Sequence, residues 1–171
     1  MKRILSLLCF ACAAYAGPLD DSRAPAVVLV FVRSDCPISN RYAPELRRLS
    51  AEFSALGVAF TIVYPDPAET TESAARHSKE YNLPGDIWLD PKQELVKLAH
   101  VAITPEAAVF LPGKRLAYHG RIDDRYVSFG KARSQPTRHD LEDALAAVLA
   151  GRPVAHASAP AIGCSIADLM R

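Results

Sequence analysis

Apolar residues after position 25 form two continuous runs with a helix-spaced stripe between them. The runs cover residues 26–32 (AVVLVFV) and 58–64 (VAFTIVY) and are rich in β-branched residues, which is typical of strands buried on both faces of a sheet. From Ile38 to Leu56 the apolar residues recur every three or four positions, and Gly57 follows them. This spacing predicts one amphipathic helix.

The chain between residues 65 and 151 carries shorter patterns. They predict a surface helix at 69–81, a strand at 86–89, a helix at 93–100, a hairpin of strands 106–111 and 115–120, and a helix at 140–150. The order β-α-β-α-β-α-β-β-α predicts one three-layer α/β domain, residues 26–151, with a central mixed sheet flanked by helices. We expect a linker at residues 17–25 and a Pro- and Ala-rich tail at residues 152–171.

The first sixteen residues have the pattern of a secretory signal peptide. Lys2 and Arg3 precede an apolar run, and Ala14-Tyr15-Ala16 precedes Gly17, as at a small-x-small cleavage site. The run is too short for a permanent membrane span. The sequence therefore predicts a secreted or periplasmic protein that starts at Gly17; a buried first element, or a lipoprotein start at Cys12, is the alternative.

Export changes the count of usable cysteines and the charge. The chain has four cysteines and a formal net charge of +1. Cleavage would remove Cys9 and Cys12, which form a CxxC, and would keep Cys36 and Cys164 in a compartment where disulfides persist. Loss of Lys2 and Arg3 would move the charge to about −1, which gives no reason to expect nucleic acid or an anionic membrane as partner.

Cys36 lies where the first predicted strand meets the first predicted helix. Pro37 suits the first helical position. Free N–H groups and the helix dipole at such a junction stabilise a thiolate, which is the nucleophilic form of cysteine. We expect an exposed Cys36 with a lowered pKa, although the neighbouring charge of Asp35 opposes this. A small packing cysteine is the alternative.

Three motifs in their order resemble the thioredoxin superfamily, specifically its redoxin or alkyl hydroperoxide reductase/thiol-specific antioxidant (AhpC/TSA) branch. Cys36-Pro37-Ile38-Ser39 stands at the place of the family's CxxC, Pro44 at that of the helix-kinking proline, and Thr104-Pro105 at that of the cis-proline segment. The resemblance implies a thioredoxin-like fold in which Cys36 is the nucleophile and Pro37, Ser39, Thr104 and Pro105 bind substrate. It further implies that Thr104-Pro105 offers backbone to a substrate strand.

The motifs CPISNRYAPEL (residues 36–46), GRIDDRY (residues 120–126) and GC-x-I (residues 163–166) are also similar to secreted bacterial thioredoxin-like proteins. The chain departs from the dithiol pattern because Ser39 stands where a second cysteine would be. Cys36 therefore needs another thiol for release of a mixed disulfide. Cys164 is the only other cysteine after cleavage, and the tail that carries it has no strong helical pattern and is expected to swing as a tether. Passive packing of Cys164, or pairing with another chain, stays open.

These residues predict an exported thiol-disulfide oxidoreductase or antioxidant protein with Cys36 and Cys164 as catalytic residues, no cofactor and no metal. Its partners would be a protein thiol or disulfide, or a peroxide, and an external thiol reductant. One alternative is a peroxiredoxin-like peroxidase, although Arg33 and Leu29 stand where those enzymes have Thr and Pro.

The other alternative is a non-catalytic copper- or client-binding module. The CxxxC position of copper-delivering relatives is Asn40, which argues against their site. A soft-metal site of the two cysteines with His100 or His119 stays open. Asp123, Asp124 and Arg125 are expected to form turns and ion pairs rather than an ion site.

Overall fold

The computed structural model describes residues 17–20 and 23–166. The predicted signal peptide, with Cys9 and Cys12, lies outside the described residues. No helix within the described ranges is long and apolar enough to cross a membrane. The helices are α1 (Pro37–Arg41), α2 (Ala43–Ser54), α3 (Thr71–Tyr81), α4 (Glu94–Ala99) and α5 (Asp140–Leu149). The strands are β1 (Val27–Phe31), β2 (Ala59–Tyr64), β3 (Asp86–Leu89), β4 (Ile103–Thr104), β5 (Glu106–Leu111), β6 (Arg115–Gly120), β7 (Tyr126–Ser128), β8 (Lys131–Ala132), β9 (Ser158–Ala159) and β10 (Cys164–Ser165).

A six-stranded mixed sheet in the order β3-β2-β1-β5-β6-β9 forms the middle layer. β1 pairs with β2 in parallel and with β5 antiparallel. Side chains of β1 alternate between two apolar cores: Val28 and Val30 pack in the core that contains residues of α2, α3 and α5, and Leu29 packs in the core that contains residues of α4. The predicted three-layer thioredoxin-like α/β fold is confirmed.

The predicted helix from Ile38 to Leu56 is divided into α1 and α2. The break lies at Tyr42, whose N–H reaches the carbonyl groups of both Ile38 and Ser39. Pro44 has no N–H to continue the ladder, and its ring excludes a regular turn before it. The break leaves α1 as a short helix directly after Cys36.

The C-terminal residues differ from the tail that the sequence predicts. β9 adds to the main sheet in parallel with β6, and β10 pairs antiparallel with β4. A Cβ on Gly120 would lie 2.1 Å from the carbonyl oxygen of Ala159, and one on Gly163 would lie 2.0 Å from that of Thr104. Only glycine permits these two close approaches. Cys164 is therefore held on a docked strand rather than on a swinging tether, and two-residue strands are too short to leave a periodic signal.

Candidate active site

The two predicted catalytic cysteines lie side by side although 128 residues separate them. Cys36 is the N-cap of α1, with extended backbone, and Cys164 is the first residue of β10. Both are free thiols, and the Sγ of Cys164 donates to the Sγ of Cys36 over 2.7 Å. Such a pair can change between a dithiol and a disulfide without a large movement of the backbone at either cysteine.

Cys36 is buried, which corrects the prediction of an exposed nucleophile. Its exposed fraction is 0%, whereas Cys164 is partly exposed. The junction between β1 and α1 would be open to solvent by itself, but β10 covers it. Cys164 is thus the more accessible residue of this pair.

The pKa of Cys36 is lowered despite its burial. Burial alone raises this pKa, and hydrogen bonds from the Cys164 thiol, the Ser39 hydroxyl and the N–H groups of Ser39 and Ile38 outweigh it. Ser39 Oγ is buried and has no hydrogen-bond partner among the described residues, so its O–H is available to the Cys36 sulfur. Serine at this position therefore offers Cys36 a donor that favours its charged form.

Cys164 has the opposite tendency. Burial and its hydrogen bond to Cys36 raise its pKa, as does the negative charge on Cys36, and the Arg33 guanidinium only partly offsets them. One proton shared between the two sulfurs thus resides on Cys164. Cys36 is therefore the sulfur of the pair that loses its proton first, and Cys164 the one that keeps it.

The cis-proline segment lies against the sulfur of Cys36. The Thr104–Pro105 peptide is cis, as the resemblance implies, and Cys36 Sγ lies 3.4 Å from the Thr104 carbonyl oxygen, which accepts from Cys36 when that residue is a thiol. The buried carboxylate of Glu106 accepts the N–H groups of Ala102 (2.7 Å) and Ile103 (3.0 Å). These bonds hold β4 in place beside the cysteine pair.

Arg33 connects the loop before Cys36 to β10. Its guanidinium donates to both carboxylate oxygens of Asp35, at 3.0 and 2.8 Å, and to the carbonyl oxygen of Ser165 at 3.3 Å. The Asp35 charge that opposes the thiolate is thereby paired. The same bonds occupy Arg33, so its guanidinium is not free to bind peroxide in the way that a peroxidatic site requires.

A buried hydrogen-bond chain behind the loop was missed by the sequence prediction. His77 Nε2 and Asn40 Oδ1 are 2.8 Å apart, as are His77 Nδ1 and the Tyr64 hydroxyl. The Asn40 amide donates to the Ser34 carbonyl oxygen over 3.3 Å, so the chain ends on the loop that carries Cys36. The predicted surface helix therefore has a buried face that includes His77, and the only sequence signal for it is His77 three residues after Ala74.

Burial lowers the pKa of His77, and the charges of Glu69 and Glu80 only partly compensate. The unfolded chain, with a pKa near 6.5, therefore binds a proton at a higher pH than the folded chain does. We expect the free energy of unfolding to fall as the pH drops below about 6.5 toward the folded pKa. The measurement is the urea midpoint at about pH 8 and about pH 5 for the wild type and His77→Gln. The wild type should lose more of its midpoint than the variant; equal losses would contradict a neutral buried His77.

The GRIDDRY motif forms turns and ion pairs, as expected. Asp123 accepts the Tyr42 hydroxyl and the N–H of Arg125, and Asp124 accepts the N–H and hydroxyl of Thr137 at 2.6 Å each. These carboxylates fasten the segment after β6 to the junction of α1 and α2 and to the residues before α5. Asp123 and Asp124 also form ion pairs with Arg125 and Arg133.

The histidines considered for a soft-metal site lie with each other rather than with the sulfurs. The rings of His100 and His119 have centroids 6.2 Å apart. Within the described residues, the three side chains whose ligand atoms lie close enough together to hold a metal ion are Glu45, His139 and Glu142. Arg48 pairs with both of these glutamates.

Comparison with known proteins agrees with this fold. The model of the AhpC/TSA family matches residues 16–119. An uncharacterized conserved protein from Geobacillus kaustophilus is 29% identical, with a TM-score of 0.74, over 86% of this chain and 80% of that one. A hypothetical protein from Sinorhizobium meliloti is also 29% identical, with a TM-score of 0.72, over 85% of this chain and 80% of that one.

A thiol-disulfide oxidoreductase from Bacteroides fragilis has a TM-score of 0.50 at 19% identity, over 61% of this chain and 76% of that one. At that identity the likeness concerns the fold. No curated protein matches the chain.

Proposed function

The chain belongs to the AhpC/TSA family, and from this membership and the paired sulfurs we propose that it is a thiol-disulfide oxidoreductase whose redox centre is Cys36 with Cys164 of the same chain. The observation that carries the proposal is the 2.7 Å contact between the two sulfurs. A second observation supports the proposal: the pKa of Cys36 is lowered and the pKa of Cys164 is raised. Thiol-disulfide exchange needs one thiolate that attacks and a second sulfur that completes the reaction.

The overall reaction is a two-electron exchange. A substrate disulfide takes two electrons and two protons from the dithiol and becomes two thiols, while Cys36 and Cys164 become joined by a disulfide. An external thiol reductant reverses this change. Ser39 and the first turn of α1 would stabilise the Cys36 thiolate, and Pro37, Thr104 and Pro105 would shape its surroundings.

The peroxidase alternative receives less support from the site. Peroxide would have to reach a sulfur that is fully buried, and Arg33, which stands at the position of the usual threonine, is bound to Asp35 and Ser165. A copper- or client-binding role would leave the two sulfurs without turnover, which separates it from the proposal by experiment.

The test uses the reduced full chain with a small disulfide, such as oxidised glutathione, and separately with hydrogen peroxide. We expect two molecules of glutathione released per chain and no retained adduct by intact mass, because a mixed disulfide on either cysteine is displaced by the neighbouring sulfur 2.7 Å away. Peroxide should react more slowly than the disulfide. Rapid turnover of peroxide with an inert disulfide would favour the peroxidase, and no oxidation by either would refute an enzymatic role.

We also propose that the protein acts outside the cytoplasm, where a disulfide can persist. The support is the signal-peptide pattern of residues 1–16. Intact mass of the exported protein should correspond to a chain that begins at Gly17. Retention of Met1, or a lipid on Cys12, would contradict this cleavage.

A further inference from the structure

The edge of β4 that the resemblance assigns to a substrate strand is already occupied. Cys164 pairs with Thr104 and Ser165 with Ile103 in antiparallel register. We call residues 162–166 the covering segment. It lies where an extended polypeptide would have to lie to place its own sulfur beside Cys36, because β4 is the strand that flanks the Cys36 sulfur.

Several contacts hold the covering segment on this edge. The N–H of Ile166 donates to the Ala102 carbonyl oxygen over 2.9 Å. The Ile166 side chain is only 1% exposed and belongs to one of the two apolar cores. Arg33 binds the carbonyl oxygen of Ser165 and Thr104 Oγ1 that of Cys164, each over 3.3 Å. The segment is thus anchored from the loop before α1, from β4 and from the core.

The close packing of the covering segment against β4 also depends on the absence of a side chain at Gly163. A Cβ on Gly163 would lie 2.0 Å from the Thr104 carbonyl oxygen and 2.8 Å from its carbonyl carbon. Backbone atoms cannot yield to a contact that short, so any larger residue at position 163 must lift the segment from β4. Gly163 therefore permits the close approach that brings Cys164 to Cys36.

We propose, resting on the proposed function, that the covering segment fills the polypeptide groove of this fold and restricts exchange to low-molecular-weight thiols and disulfides. A polypeptide disulfide gains its affinity at such a groove from main-chain pairing with the strand edge, and that edge is occupied here. A small thiol needs access to only one sulfur, and Cys164 is the partly exposed residue of the pair.

The exchange then proceeds at Cys164, the partly exposed residue of the pair. A small thiolate attacks Cys164 Sγ of the oxidised pair, the Cys36–Cys164 bond breaks, and Cys36 leaves as a thiolate, which its site stabilises. A second small thiolate attacks the small-molecule sulfur of the mixed disulfide. Cys164 leaves and takes up a proton, and the small molecule departs as its own disulfide. Two small thiols are oxidised and one protein disulfide is reduced.

The test compares two oxidants of the reduced full chain, oxidised glutathione and insulin. Each rate constant is divided by that of the same disulfide with free cysteine, which removes differences in intrinsic reactivity. We expect the wild type to prefer oxidised glutathione by roughly tenfold or more, the factor associated with two lost main-chain hydrogen bonds. Gly163→Val should reduce this preference by gaining reactivity toward insulin, with the mixed disulfide found on Cys36.

A matched variant, Ala155→Val, adds bulk at an exposed position of the same C-terminal stretch and should keep the wild-type preference. Equal normalised rates for the two disulfides in the wild type would overturn this inference and leave the proposed function intact. Reaction of the wild type with neither disulfide would overturn the proposed function and the inference with it. Hydrogen exchange at the Ile166 amide should be slow in the wild type and fast in Gly163→Val; fast exchange in the wild type would also overturn the covering role.

Discussion

Cys164→Ser is expected to abolish turnover of small disulfides, because it removes one of the two sulfurs of the redox centre, and any small molecule that does react with this variant must stay attached to Cys36. In the wild type the second sulfur is 2.7 Å from the first, so it acts as an intramolecular nucleophile. Well-oriented intramolecular groups reach effective concentrations of about 10⁵ M, which is about 10⁸ times that of an external thiol at about 1 mM, so the loss should exceed a hundredfold even if this pair reaches only a small part of that limit. Intact mass and steady-state rate measure the two effects together.

Ser165→Ala is the matched control for this variant. It changes the next residue of β10 and keeps both sulfurs, as well as the Ser165 carbonyl group that accepts from Arg33. It should retain the wild-type rate and carry no adduct. If Cys164→Ser turned over at the wild-type rate, Cys164 would not be the resolving thiol, and Cys36 would depend on a thiol from another molecule.

Oxidation of the pair is expected to stabilise the fold strongly. A link between residues 128 apart closes most of the described chain into one loop, and in the chain-entropy model such a link destabilises the unfolded state by about 5 kcal/mol. With a urea m-value of about 1–3 kcal/mol/M, the urea midpoint should rise by about 2 M or more on oxidation.

The control for this prediction is the same comparison on Cys164→Ser, which should have one midpoint under oxidising and reducing conditions. The added stability also has a functional meaning, because an external reductant must overcome it. A wild type whose midpoint does not change between the two conditions would contradict an intrachain link, even if the rates of exchange were high.

The main elements of the fold were predictable because their patterns are long. The runs at 26–32 and 58–64 became β1 and β2, and β3 was predicted with its observed bounds. The short strands β4, β9 and β10 were not predicted, since two residues cannot display a period of two. Their pairing depends on distant backbone, as the approach of Gly163 to Thr104 illustrates.

The two cysteines of the site were predictable from the sequence, but the residues and contacts around them were less so. Cys36 was found from its motif and Cys164 by exclusion of Cys9 and Cys12. The burial of Cys36 was not predicted, because it results from the docking of β10. The link from His77 to Asn40 was also missed, since a histidine on a polar helix gives no sign of its partner in another helix. Both omissions concern tertiary contacts that no local pattern encodes.

The most direct test of the redox centre is peptide mapping of the wild type after oxidation by one equivalent of oxidised glutathione at low protein concentration. The peptide that contains Cys36 should be recovered joined to the peptide that contains Cys164, and the intact protein should have the mass of one chain less two hydrogens. A mixture of isotopically light and heavy chains should give only light-light and heavy-heavy peptide pairs. Recovery of both cysteines as separate glutathione adducts, or of light-heavy pairs, would contradict a redox centre built from Cys36 and Cys164 of one chain.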